Sequence, residues 1–491
     1  MGGGTPRLEQ LEHFDVSEIG LGCNGLMKPT AYDTAWLARV PAEHDSSAPA
    51  FPEALTWLRQ NQHSDGSWGA EIEYVHDRVI STLVTILALT EWGKDGQDER
   101  AVERGIRYIW EKTDRLEHEH ETIGFEVILP TLLKKCQVLG LALPLAAFER
   151  YDKMRDEKMA KIPPDMRYSR NTTLSFSLEF MGDDLDIEEA RFIQESNGSV
   201  GASPSATAYF LTKWPDNVSA RRYIVDVATA YGDKASQMFP FDLFETAWSL
   251  WNLFLAGLEG CDQRITRHAE DLQMLWDGGN GTSSSSSFSV VNADDSAMVF
   301  RVLGLAGFES APDPLYQFEK GDHFACHPFE RNPSTSANIH ILEALKGVDE
   351  HRTDKVVRWL RSVQMEGSYW MDKWHTSPYY PTAHAVIALI GVDNDLAKSA
   401  MRWIVDTQRP DGCWGHYDRA TAEETAYCLQ ALSMYDRHVE PVDKQVLAQG
   451  RKGLLTCIDE MPALWIGKCL YTPVRVVESA ICSALNITRL Q

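Results

Sequence analysis

Residues 290–298, Val-Val-Asn-Ala-Asp-Asp-Ser-Ala-Met, set two adjacent carboxylates, Asp294 and Asp295, among apolar neighbours and away from any run of charge. Burying an unpaired carboxylate is costly, so a carboxyl in such a place resists ionisation, and a close second carboxylate adds to the resistance. A carboxyl that keeps its proton at neutral pH is able to act as a general acid. Alone, an Asp-Asp pair is more often a helix N-cap or a solvated turn. The rest of the chain has to decide between these readings.

Whatever the pair does, helices must hold it. Strand signals are sparse and helical spacing recurs; Leu243, Phe244, Ala247, Trp248, Trp251 and Leu255 fall on one helical face. A glycine-centred pattern punctuates the helices: Gln62-x-x-x-Gly66-x-Trp68 and Gln408-x-x-x-Gly412-x-Trp414 are full copies, Gln194-x-x-x-Gly198-x-Val200 is degenerate, and Gln364 to Trp370 is looser. One copy reads as a turn, with Gly supplying positive φ and Trp packing beneath it. Repetition marks helix-turn-helix units that share a core. The serine run Ser283–Ser287 reads as a surface loop leading to the acidic pair, with no chemistry of its own.

At 491 residues the chain exceeds what one core usually supports, which points to two domains or one large helical toroid with an insertion. Hydrophobic residues at 44% and charged residues at 24% are the proportions of a soluble globular protein. The longest apolar stretch, Ala385 to Val392, falls far short of the ~18–20 residues of a membrane span, so none is expected. Residues 1–6 lack the basic and apolar regions of a secretory signal, and a cytoplasmic location is expected. Nine cysteines without a Cys-x-x-Cys pair read as reduced thiols, not as a zinc site or a disulfide framework. A formal charge of −24 argues against nucleic acid as a partner. It leaves room for an anionic small substrate if local cations or Mg²⁺ offset the field.

The acidic segment resembles the Asp-x-Asp-Asp-Thr-Ala-Met box of class II terpene cyclases, which protonate a terminal alkene or epoxide and fold the polyene into rings. In that family the middle Asp, here Asp294, is the proton donor, and Asp295 and residue 292 flank it. This chain departs from the box at Asn292 and at Ser296. A carboxylate at 292 would add a third negative charge that helps keep the donor protonated, whereas Asn offers only a hydrogen bond. Five more landmarks run in the family's order: Ala31-Tyr-Asp-Thr-Ala-Trp36, Ile123-Gly-Phe-Glu-Val127, Ser203-Pro-Ser-Ala-Thr-Ala208, Asp372-Lys-Trp-His375 and Trp465-Ile-Gly-Lys468. The glycine-centred repeats resemble the Gln-Trp motifs that tie helix ends together in triterpene and diterpene cyclases. The likeness covers nearly the whole chain and is nearest to the diterpene cyclases that make copalyl- or halimadienyl-type diphosphates. It implies an all-α fold of two α/α-barrel domains, β and γ, with the active site between them. Residues 1–60 would be the first helices of the β domain, 61–227 an inserted γ domain, and 228–491 the remainder of β with the acidic box.

The same resemblance implies a set of site residues. Lys158 and Lys161, in Lys158-Met-Ala-Lys161-Ile-Pro, resemble the basic box whose lysine holds the substrate diphosphate; a solvated helix face is the alternative. Asp114, Glu117, Glu119 and Glu121 precede Ile123-Gly-Phe much as an acidic Mg²⁺-linked segment does in relatives, although His118 and His120 interrupt the spacing. Asn338-x-His340 matches a segment whose Asn and His touch the donor or position a water. Carbocations react with exposed nucleophiles, so aromatic faces are the safer stabilisers. Trp248, Trp251, Trp374, Tyr379 and Tyr380 are the candidates, with core packing as the alternative for each. The Asp-Asp-x-x-Asp box of class I synthases is missing, and Asp183-Asp184-Leu185-Asp186 has the wrong spacing, so the diphosphate is expected to survive the reaction.

The function so implied is cyclisation of geranylgeranyl diphosphate, begun by Asp294, to a labdane- or halimane/clerodane-type diphosphate that passes to a class I terpene synthase or a phosphatase. Three rivals stand beside it. One is a sesquiterpene cyclase making drimenyl diphosphate from farnesyl diphosphate, and another is a squalene-hopene-type cyclase. The third is a non-catalytic α/α-barrel binding protein in which Asn292 is a trace of lost activity.

Overall fold

The computed structural model describes residues 14–93, 96–116, 120–260, 262–328 and 330–490. Its helices form two rings. In the first half of the chain these are α1 (Ala31–Ala38), α2 (Pro52–Gln60), α3 (Val75–Trp92), α4 (Gly96–Lys112), α5 (Phe125–Val138), α6 (Glu149–Lys161), α7 (Pro204–Lys213) and α8 (Val218–Tyr231). Helices α1, α3 and α5, a 3-10 segment at Ser175–Met181 and α7 pack each on the next, and α7 closes on α1. Helices α2, α4, α6 and α8 lie outside that ring.

The second half comprises α9 (Asp242–Leu255), α10 (Gln263–Gly278), α11 (Ala293–Leu305), α12 (Thr335–Leu345), α13 (Glu350–Ser362), α14 (Tyr379–Leu389), α15 (Asn394–Asp406), α16 (Ala422–His438), α17 (Lys444–Thr456) and α18 (Val474–Ile487). Here α9, α11, α12, α14, α16 and α18 close an inner ring, and α10, α13, α15 and α17 clad it. The sequence distinguishes the two layers. Inner α14 buries every residue from Tyr379 to Leu389, whereas outer α15 buries only the stripe Leu396, Ala397, Ala400, Met401 and Ile404. The one-face spacing read along α9 is overtaken by burial on nearly all sides, because α9 is an inner helix.

Short polar side chains start the inner helices. Thr30, Ser203, Asn292, Ser334 and Thr421 each accept a hydrogen bond from the backbone N–H three residues on, satisfying amides that the helix leaves unpaired. The Gln-Trp repeats join the layers. Gln62 Nε2 donates to Gly66 O and Ala101 O at 2.8 and 2.9 Å, and Gln408 Nε2 to Gly412 O and Val446 O at 2.9 and 3.0 Å. Trp68, Trp370 and Trp414 each donate Nε1 to a carbonyl ten residues back, that of Leu58, Leu360 and Ile404 respectively. At Gly412, φ is +87°, and a Cβ would lie 2.4 Å from Gln449 O, so both the turn and the approach of α17 require glycine.

The division of the chain differs from the boundary read at residue 60. Residues 31–60 join the core of the first ring with α3, α5 and α7, while Val16, Ile19 and Met27 join the core of the second. The helices that follow residue 30 therefore pack with their sequence neighbours, and only the segment before them crosses over. A hairpin, β1 (Trp465–Ile466) with β2 (Leu470–Tyr471), crosses in the other direction. From its turn Lys468 inserts a fully buried ammonium between the rings, donating to Phe176 O, Glu179 Oε1, Ser203 Oγ and Ser205 Oγ at 2.7, 2.8, 2.7 and 2.5 Å. A charge so desolvated is tolerable only with that many partners. No described helix is long and apolar enough to cross a membrane, and the eight described cysteines are free thiols.

Candidate active site

A cavity of about 1030 Å³ opens where the two rings meet, and both contribute its walls. The acidic pair reaches it from the first turn of α11. Asn292 is the N-cap: its Oδ1 accepts from Asp295 N at 2.9 Å, and its Nδ2 donates to Asp295 Oδ2 at 2.5 Å. Because Asn292 takes the capping role, the carboxyls of Asp294 and Asp295 are left for other work. Backbone bonds from Asn292 N to Thr282 O and from Ala293 N to Cys326 O, both 3.0 Å, fix the helix start against two loops.

The two carboxyls then diverge. Asp295 is buried, accepts from Ser284 Oγ at 2.7 Å as well as from Asn292, and leaves Oδ1 without a hydrogen-bond partner. Burial pushes its pKa up to about 7, with Asp294's charge adding to the shift and the two hydrogen bonds opposing it. Asp294 faces the cavity, and its Oδ1 lies 2.5 Å from His340 Nδ1. His340, on α12, is itself buried, and its Nε2 lies 2.9 Å from Nδ1 of His384 on α14. His384 is enclosed by Trp251, Tyr380 and Tyr427, and burial holds its pKa well below the usual imidazole range. Asp372 anchors α12 by accepting from Thr335 N at 2.8 Å, Ser336 N at 3.1 Å and Ser336 Oγ at 2.7 Å, which sets the rotation that brings His340 to Asp294.

Aromatic faces line the space beyond the acids. Phe241, just before α9, and Phe244 on it, with Phe176, Phe288, Trp374, Trp465 and Tyr471, form the wall. Trp465 meets Phe244 edge to face at 5.4 Å and is held by an Nε1 bond to Glu423 Oε1 at 2.6 Å. Cations come from both rings. Lys158 and Lys161 project from the last turn of α6, and Arg331 and Lys373 join them at the rim. Lys158 pairs with Glu126 at 2.7 Å, Arg331 with Glu121 at 2.8 Å and Lys373 with Glu330 at 2.6 Å; Lys161 has no ion-pair partner among the described residues. The arrangement is a buried acid at one end of an aromatic-walled cavity and cations elsewhere on its wall. Chemically it is equipped to deliver a proton to a hydrocarbon while holding an anionic tail.

Several residues expected from sequence fall elsewhere. Trp248 lies behind Phe244, stacked on it at 3.8 Å and 14°, and donates Nε1 to Tyr380 Oη at 3.0 Å, so both act as second-layer packing. Trp251 packs on His384, and Tyr379 packs on Trp403. Of the five aromatic candidates only Trp374 lines the cavity. Helical spacing shows which residues turn inward but not which of them ends at a void, and that is why these assignments failed. Asn338 does not touch the donor; it bridges Phe324 N, Phe324 O and Ser334 O, each at 2.8 Å, and holds the loop that meets Ala293. The serine run is not inert surface. Ser284 reaches Asp295, and Ser286 donates N–H and Oγ–H to Asp242.

The expected Mg²⁺ carboxylates do not assemble among the described residues. Asp114 sits in an exposed 3-10 turn off the cavity, Glu121 is occupied by Arg331, and Glu117 and Glu119 lie outside the described residues. No group of three or more His, Cys, Asp or Glu able to hold a metal ion occurs among the described residues. Sequence reading missed Phe176, Phe241, Phe244, Phe288 and Tyr471, along with Ser284 and His384. Trp465 was quoted only as part of a landmark, yet a tryptophan in a two-residue strand beside Gly467 is a signal that the ring is being aimed.

Residues 329–436 match the family model of the squalene-hopene cyclase C-terminal domain. The chain is 36% identical to the type B diterpene cyclase of Mycobacterium tuberculosis over 96% of its own length and 97% of that protein's. It is 30% identical to the ent-copalyl diphosphate synthase of a Streptomyces strain, covering 96% of this chain and 95% of the relative. Among solved structures it is similar to the ent-copalyl diphosphate synthase of Streptomyces platensis, with a TM-score of 0.80, 28% identity and 99% of each chain covered.

Proposed function

The chain belongs to the class II diterpene cyclases, enzymes that cyclise prenyl diphosphates, and on that footing we propose that it converts geranylgeranyl diphosphate to a bicyclic diphosphate with Asp294 as the proton donor. The observation that carries this reading is the carboxyl of Asp294, facing an aromatic-walled cavity and backed by His340 at 2.5 Å. The diphosphate lies among Lys158, Lys161, Arg331 and Lys373, and the hydrocarbon folds along Phe241, Phe244, Trp374 and Trp465 with its terminal alkene at Asp294. A cavity of about 1030 Å³ accommodates a twenty-carbon chain with its headgroup.

The step is a proton transfer. Asp294 Oδ2–H protonates the terminal alkene carbon, the resulting cation is attacked by the internal double bonds in turn, and two ring C–C bonds form. Asp294 is left as a carboxylate, whose new charge His340 stabilises through Nδ1–H to Oδ1. Loss of a proton from the bicyclic cation yields an alkene, and Asp294 takes a proton from solvent before the next turnover. Aromatic faces lower the energy of the cation without capturing it, through cation–π attraction. The C–O bond to the diphosphate is untouched, so the product keeps it and suits a class I terpene synthase or a phosphatase. A labdane skeleton follows from proton loss at the first bicyclic cation, and a halimane or clerodane skeleton follows from hydride and methyl shifts before it.

Incubation with geranylgeranyl and, separately, farnesyl diphosphate, followed by phosphatase treatment and mass spectrometry, tests the reading. A bicyclic diterpene alcohol that appears only after phosphatase treatment is the expected result. Hydrocarbon released without phosphatase, or no cyclised product from either substrate, overturns it.

A further inference from the structure

Asp294, His340 and His384 form a continuous line from the cavity into the buried centre of the α9–α18 ring, with separations of 2.5 and 2.9 Å. Neither curbing reactivity nor filling space requires a second imidazole there. A neutral imidazole carries one N–H, and where it sits on each ring determines what Asp294 meets. His384 Nε2 is buried and has no hydrogen-bond partner. A proton on that nitrogen would be an orphaned buried donor, which proteins avoid more strictly than an orphaned acceptor. The proton therefore belongs on His384 Nδ1, where it is donated to His340 Nε2. With Nε2 of His340 accepting, the N–H of His340 falls on Nδ1, and its target is Asp294 Oδ1. That leaves the acid proton of Asp294 on Oδ2, away from the histidine. In the opposite arrangement His340 Nδ1 is a bare acceptor that draws the acid proton to itself and away from the alkene.

We propose that His384 is a positioning residue: by donating Nδ1–H to His340 it fixes the tautomer that holds the acid proton of Asp294 on the oxygen used for catalysis. The proposal rests on Asp294 being the donor in the cyclisation described above. The burial that keeps His384 neutral supports it. The titratable groups around the line are Asp295 on α11, Cys326 in the loop against it, Tyr380 on α14, His375 before α14 and Tyr427 on α16. Burial raises the acidic groups among them, so at neutral pH the line is flanked mainly by uncharged side chains.

Two substitutions separate positioning from packing. Asn places an amide N–H where His Nδ1 stood, so His384→Asn keeps a donor; His384→Leu fills the space without one. His384→Leu is expected to lower kcat by ~10-fold or more, part of the ~10²–10⁴ that a general acid contributes, with KM unchanged and the pH–rate profile displaced. His384→Asn is expected to restore most of kcat and the original profile. Thermal unfolding of both variants controls for the fold. Nitrogen-15 spectra of histidine-labelled protein read the tautomer without turnover: His340 is expected as the Nδ1–H form in wild type and His384→Asn, and as a mixture in His384→Leu. Wild-type kcat and pH profile in a folded His384→Leu variant, or an unchanged His340 tautomer in it, overturns the proposal. If wild type itself fails to cyclise a prenyl diphosphate, the functional reading falls, and the nitrogen-15 comparison still decides the role of His384.

Discussion

The acid and the cations of the cavity are built in opposite ways. At the acid end, side chains are largely withdrawn from solvent and pinned by short bonds: Asp295 to Asn292 and Ser284, Asp294 to His340, and His340 to His384. At the cation end, Lys158 remains 39% exposed despite its bond to Glu126, and Lys161 is exposed on a helix terminus. The difference follows from what each end must handle. A proton donor for an alkene needs a dry, fixed surround, because water would both compete for the cation and level the acidity. A diphosphate arrives hydrated and is better met by charges that can rearrange around it.

The sharpest way to break the contrast is to neutralise the acid. Asp294→Asn should cut turnover by ~10²–10⁴-fold, since the amide keeps shape and hydrogen bonding but carries no transferable proton. Substrate affinity should change little, and kinetics on the folded variant check both halves of the statement. At the other end, the Lys158→Ala, Lys161→Ala double variant should weaken substrate binding by about 1.5–3 kcal/mol, the scale of a charge-assisted hydrogen bond, with kcat largely kept. Its KM should also lose sensitivity to salt, because exposed charges are the ones that salt screens. An Asp294-like collapse of kcat in the lysine variant would erase the distinction between the ends.

Asn292→Asp sharpens the acid end. It removes the Nδ2 donor to Asp295 and places a third carboxyl in the cluster, so the cluster should hold its protons to higher pH and the alkaline limb of the rate profile should move upward. The expected change in turnover at neutral pH is within ~10-fold. Identical limbs in both forms would show that position 292 caps the helix and does no more. The last effect is on stability, not on turnover. Asp295, ionising near pH 3.9 when unfolded, has its folded pKa raised to about 7. The folded state thus binds the extra proton, and this contribution to stability is present at low pH and lost as pH rises from ~4 to ~7. Asp295→Asn should remove that part of the slope, worth ~4 kcal/mol at most. Glu245, buried and likewise raised to about 7, adds a slope of the same sign that both proteins share. Melting temperatures at pH 5 and pH 7.5 measure the difference.

The acid end was the more legible in the sequence. Asp294, Asp295 and Asn292 are local to one helix start, and His340 was reachable from the resemblance of its segment. His384 was not, because its role depends on the spacing of α12 and α14 across a ring and leaves no periodic trace. The aromatic wall was misread for a related reason: Trp248 and Phe244 share a face of α9, yet only one borders the void. The Gln-Trp repeats were read correctly since each is a local turn whose glycine and carbonyl geometry is written within seven residues. The boundary near residue 60 was misplaced because helix content alone does not say which ring a helix joins.

The crossing segments carry a consequence for how the protein comes into being on the ribosome. Lys28 N–H bonds to Thr472 O, Val474 N–H bonds to Leu26 O, and Lys468 fills its socket of Glu179, Ser203 and Ser205. During synthesis the early ring therefore lacks the cation of its buried Glu179 until some 260 further residues have emerged past Ser205. Until then the lysines and the acid have no common wall. The hairpin also supplies Trp465, Ile466 and Tyr471 to the cavity wall, so a chain that ends before it lacks part of the site as well as the cation between the rings.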